Sequence, residues 1–103
     1  MKTIMVVDDE INVLDHVKSC LEKDNYRVVT VDNNREALEL IEKENEEDFG
    51  LILIDTSIPN TKKPAFFSLK PKSKKSIDTS NEEDFLQKPF TKEQLVSFVR
   101  KKI

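Results

Sequence analysis

Residues 51–69 read LILIDTSIPNTKKPAFFSL. The branched apolar run Leu51 to Ile54 ends in a lone carboxylate, Asp55. Eight residues, 56–63, separate Asp55 from Pro64 and a second apolar run, Ala65-Phe66-Phe67-Ser68-Leu69. Both runs are short and continuous, as expected of strands buried on two faces. No helix fits between them. A five-residue strand rises about 16 Å, and eight residues reach about 26 to 29 Å when extended, so a bare loop can return for a parallel pairing. The alternative is a hairpin, which short links favour in general. The parallel return is the expectation, because a hairpin carries Ser68 to the edge of the sheet opposite Asp55.

Outward from this stretch, the chain alternates two patterns. Gly50 to Ile54 is preceded by two further strand candidates, Ile4-Met5-Val6-Val7 and Arg27 to Val31. Residues 11 to 23 place Leu14, Val17 and Leu21 at helical spacing with Asp15, Lys18 and Glu22 opposite, the pattern of an amphipathic helix. Asn33 followed by Glu36 marks a second helix start ahead of Ala37, Leu38 and Ile41. Downstream, Phe85-Leu86-Gln87 is a short strand, and Thr91-x-x-Gln94 caps a helix with Leu95, Phe98 and Val99 on one face. Strand and helix in alternation predict a parallel sheet with helices packed on it. Ligands then gather at the carboxyl ends of the strands, where Asp8, Asp9 and Asp55 stand.

The chain has 103 residues, enough for one domain over 1–103. Seventeen basic against twenty acidic side chains leave a net charge of −3, so no positive field draws it to nucleic acid. It shows no membrane-spanning segment and no signal peptide, and its one cysteine, Cys20, cannot close an internal disulfide; the cytoplasm is the expected location. His16 reads as a solvated side chain and Cys20 as a small core residue.

Three carboxylates brought together repel one another, and a divalent cation resolves the conflict. Oxygen ligands without a histidine or cysteine cluster select a hard ion, here Mg²⁺. A metal bound by Asp9 and Asp55 leaves positions for a phosphoryl group, which an aspartate can accept as nucleophile. Lys88 and Ser68 are available to meet the charge on its oxygens.

Four segments, VVDDE at 6–10, LILIDTSIP at 51–59, FFS at 66–68 and DFLQKPF at 84–90, together resemble the receiver domain of two-component response regulators. That resemblance implies a flavodoxin-like, doubly wound five-stranded parallel sheet in the order 2-1-3-4-5. It also implies a phosphoprotein that is not an enzyme in its own right. Asp55 becomes the phosphoacceptor, Asp9 a direct Mg²⁺ ligand, Asp8 a ligand through water, and Ser57 a ligand through its backbone carbonyl. Ser68 and Lys88 contact the phosphoryl group, Ser68 and Phe85 form the conformational switch, and Pro89 follows a cis peptide bond. The implied partners are a sensor histidine kinase or histidine phosphotransfer protein and a downstream protein target, reached by contact because no output domain is expected after Ile103.

The chain departs from the family where the third helix is missing and the fourth is degenerate: PKSKKSIDTSNE, 71–82, has Ile77 as its only apolar residue. Residues 70–82, or a second copy in a homodimer, are then expected to cover the sheet face left bare. Leu69 stands where the family has a small residue. These departures define a rival reading, a pseudo-receiver that serves as a phosphorylation-independent interaction module.

Overall fold

The computed structural model describes residues 3–43, 49–57, 61, 63–69 and 84–103, the side chains of 41–43 and 57 excepted. The strands are β1 (Thr3–Val7), β2 (Arg27–Val31), β3 (Phe49–Ser57), β4 (Pro64–Leu69) and β5 (Phe85–Gln87). The helices are α1 (Ile11–Lys23), α2 (Asn34–Lys43) and α3 (Lys92–Lys102). They build one five-stranded sheet in the order β2-β1-β3-β4-β5. The α/β fold and strand order agree with the expectation, and among the described residues no helix lies between β3 and β4.

Direction is where the expectation needs correcting. β1 pairs parallel with both β2 and β3, but β4 runs antiparallel to β3 and to β5. The estimate for a parallel return took β3 to end near Ile54. It continues to Ser57 and is nine residues long. Six residues, 58–63, are left for the link, and they reach only about 21 Å fully extended beside a strand of about 30 Å. No slack remains for a path back over packed side chains, whereas a reversal lets ladder hydrogen bonds start at once.

Strand alternation sorts the core onto the two faces. Ile4, Val6, Leu51, Leu53 and Phe66 meet Leu14, Val17 and Leu21 of α1 and Leu95 and Val99 of α3. Met5, Val7 and Ile52 turn the other way, toward Ala37 of α2, with Ile54 and Leu40 beside them. Leu38 does not share this packing and is exposed. Phe49 joins the α2 face although it has the parity of Leu51, because the β1–β3 register slips by one residue at Gly50, the chain's single glycine. Under β4 and β5, Ala65, Phe67 and Phe85 form a third buried cluster on that second face. The degenerate fourth helix and the cover expected from 70–82 lie outside the described residues.

Both expected helix starts carry their caps. Asn33 Oδ1 accepts the Glu36 amide at 2.7 Å. Thr91 and Gln94 form a reciprocal capping box, with Thr91 Oγ1 accepting from the Gln94 amide at 3.1 Å and Gln94 Oε1 accepting from the Thr91 amide at 2.8 Å. At the other end of α1 the chain leaves through Asn25 at φ 68°, the one described non-glycine residue with positive φ. Asparagine tolerates that region better than residues whose Cβ crowds the following carbonyl. Thr91→Ala and Asn25→Ala are each expected to lower unfolding free energy by about 1 kcal/mol in urea titrations. Asn25→Gly, which relieves the backbone without removing a packed group, is expected to stay within a few tenths of wild type.

Candidate phosphoacceptor site

The register of the sheet makes the site. Val7 pairs with Ile54, so Asp8 and Asp55 are the next residue on each strand, side by side. Both have the parity of Val6 and Leu53 and belong to the face that carries α1 and α3. Phe66, opposite Asp55 on β4, and Leu86, opposite Phe66 on β5, share that face. One further step of two residues along β5 brings Lys88 to the same place. Its amide donates to the Pro64 carbonyl at 3.0 Å, continuing the β4–β5 ladder past its last pair, and the Lys88–Pro89 peptide bond is cis.

Lys88 Nζ is bound to Asp8 Oδ2 at 2.5 Å and Asp55 Oδ1 at 2.7 Å. It also stands 4.4 Å from the centroid of Phe66, a cation–π contact. Asp8 is 2% exposed, and its other oxygen accepts the Glu10 amide at 2.9 Å. Burial works to lower the pKa of Lys88, but hydrogen bonds to Asp55 and Asp8, reinforced by their charges, outweigh it. The ammonium's pKa ends above the usual lysine value, so it stays charged at neutral pH.

Asp9, exposed in the bend after β1, completes the group. One carboxylate oxygen from each of Asp8, Asp9 and Asp55 lies within 4.8 Å of the others. An octahedral Mg²⁺ shell at about 2.1 Å places its oxygens about 3 to 4 Å apart, a little closer than the 4.8 Å within which these three lie. The donor set is oxygen only, which suits a hard divalent cation. Lys88 balances one of three negative charges; the cation's two charges fit what remains. Asp55 opens into a cleft of about 530 Å³ whose walls include Asn12, His16, Pro64, Lys88 and Phe90. A larger cleft, about 990 Å³, lies between β5 and α3 and includes none of the carboxylates.

Ser68, expected as a phosphoryl contact from a parallel β4, makes no contact with Asp8, Asp55 or Lys88 in this antiparallel arrangement. Antiparallel β4 sets it opposite Leu53, two residues back along β3 from Asp55. Such diagonal neighbours stand about 7 Å apart along the backbone, and Ser68 has no hydrogen bond to Asp55. Its hydroxyl donates instead to the Asp84 carbonyl at 3.1 Å. Phe85 is buried on the opposite face of the sheet against Phe67, ring centroids 5.1 Å apart. Ser57 pairs with Pro64 at the end of β3. Sequence reading missed Phe66 and the Lys88–Asp8 contact; period-two parity finds the first once the antiparallel register is known.

Residues 4–77 match the family model described as the response regulator receiver domain, and the chain belongs to that family. No solved structure matches it. The family match ends before Lys88, so the place of Lys88 in the site rests on the sheet register and on its two carboxylate partners.

Lys88→Met leaves buried Asp8 without its cation and is expected to cost about 3 kcal/mol, the low end for breaking a buried pair, since Asp55 is a third exposed and water screens it. Asp9→Asn removes one like charge and is expected to raise cation-free stability by up to about 1 kcal/mol. Thermal melts with and without Mg²⁺ check both: the ion raises the wild-type midpoint, and raises that of Asp9→Asn less.

Proposed function

We propose that this receiver domain is a phosphoacceptor in a two-component phosphorelay, phosphorylated on Asp55 in a Mg²⁺-dependent step. The observation that carries this reading is the meeting of Asp55 with Asp8, Asp9 and Lys88, with Asp55 and Lys88 lining an open cleft. An Asp55 carboxylate oxygen attacks the donor's phosphorus and a new O–P bond forms. The donor's P–N bond, for a phosphohistidine, or P–O bond, for an acyl phosphate, breaks, and the leaving group takes the electron pair.

Lys88 is placed to follow the charge. Its ammonium already touches Asp55 and needs only to rotate outward to meet a phosphoryl oxygen, the positioned cation that such a transfer requires. Asp8, anchored by the Glu10 amide, and Asp9 would hold the divalent ion with Asp55. When bound, the ion supplies neutralising charge for the phosphoryl oxygens. With Ser68 bonded elsewhere, the work of stabilising those oxygens falls to Lys88 and the cation.

The donor is then a sensor histidine kinase or histidine phosphotransfer protein, and the signal passes to a protein target by contact, in the cytoplasm. Among the described residues no helix is long and apolar enough to cross a membrane.

Intact-mass spectrometry after incubation with a small acyl phosphate and Mg²⁺ tests the reading. Wild type and Ser68→Ala are expected to gain one phosphoryl group at similar rates, Lys88→Ala on the order of 100-fold more slowly, and Asp55→Asn not at all. Chelation of the cation abolishes the gain. A wild type that binds Mg²⁺ but never gains mass contradicts the proposal and leaves a phosphorylation-independent interaction module.

A further inference from the structure

The antiparallel β4 strand separates Asp55 from the pair expected to report its state. Ser68 is held on the Asp84 carbonyl, and the Phe85 ring packs on Phe67 across the sheet from the acids. Neither has a described contact with Asp8, Asp55 or Lys88. A different chain of contacts does leave the acids. Lys88 Nζ, in contact with both carboxylates, sits 4.4 Å over the Phe66 ring. Fully buried Phe66 lies 5.9 Å from Phe90, and Phe90 stacks on His16 of α1 at 6.4 Å with the rings inclined by 28°.

Resting on the phosphoacceptor reading, we propose that the state of Asp55 is relayed through Lys88 to the Phe66–Phe90–His16 ring stack on the α1–α3 face, and not through Ser68 and Phe85. An ammonium has three donors. Two meet Asp8 and Asp55, and the ring face takes the remaining side. A phosphoryl group on Asp55 sets the negative oxygens one bond layer farther out, and an ammonium that follows them moves off the Phe66 ring. Phe66 is fully buried, and close-packed groups pass displacement to their neighbours. The neighbour in line is Phe90, which is half-buried in the cleft wall, and beyond it is His16, which is exposed. Change at the acid therefore surfaces beside the cleft, on the side from which a donor reaches Asp55.

His16 is the chain's single histidine, so its ring signals in a proton–carbon NMR spectrum identify themselves. Beryllofluoride with Mg²⁺ serves as a stable phosphoryl mimic, and the fluorine signal of the bound species reports occupancy independently. At matched occupancy, the His16 ring signals are expected to shift, the Phe85 ring signals to stay, and Ser68→Ala to respond like wild type. Phe90→Leu, which keeps apolar bulk but removes the stacked ring, is expected to lose the His16 shift while the bound fluorine signal persists. A Phe85 response with His16 silent overturns the relay, as does a His16 shift that survives in Phe90→Leu or vanishes in Ser68→Ala. Failure of the phosphoacceptor reading looks different: no bound fluorine signal in wild type, as in Asp55→Asn.

Discussion

The Lys88 ammonium, held between Asp8 and Asp55, is the contact on which the site depends. Three carboxylate oxygens within 4.8 Å of one another are mutually repulsive, and burial of Asp8 removes the water that elsewhere dilutes such repulsion. A cation arriving from β5, 80 residues along the chain from Asp8, offsets that cost. It can arrive only if β1, β3, β4 and β5 keep their register, because a slip of one residue in any of them turns its contribution to the other face. The site thus draws on four adjacent strands, and the sheet in turn is stabilised where its acids converge.

The reversed β4 changes what surrounds this contact. A parallel strand of the same sequence ends with Ser68 beside Asp55; the antiparallel one begins there, with Pro64 and Phe66 as the near neighbours. One consequence is chemical: a hydroxyl donor gives way to an aromatic face under the ammonium. Another is mechanical. Pro64 accepts the Lys88 amide through its carbonyl, so the strand that replaced the hydroxyl also fixes the backbone of the lysine. The short link that removed a helix has therefore reorganised the site without dispersing its charges.

Much of this was legible in the sequence because it is local. The run Ile4 to Val7, the periodicity of 11–23 and the Thr91–Gln94 box each specify their own element through patterning or capping, and each stands where the pattern put it. Asp8, Asp9 and Asp55 were visible because they terminate apolar strands, and Lys88 because it follows one. The direction of β4 was not legible in the same way. It depended on where β3 ends, and β3 is prolonged past Ile54 only by the partner whose direction was in question: Asp55, Thr56 and Ser57 pair with Phe66, Ala65 and Pro64. A pairing that creates its own strand leaves no periodicity to read beforehand. The place of Ser68 followed from that direction, and so it could not be read correctly without it.

The central claim is that Asp55, and not Asp8 or Asp9 beside it, takes the phosphoryl group. Borohydride reduces an aspartyl phosphate to homoserine, so treating the phosphorylated protein and locating homoserine by peptide mass spectrometry reads the acceptor directly. The account predicts homoserine at position 55 alone. Homoserine at position 8 or 9, or phosphorylation that resists borohydride, would contradict it.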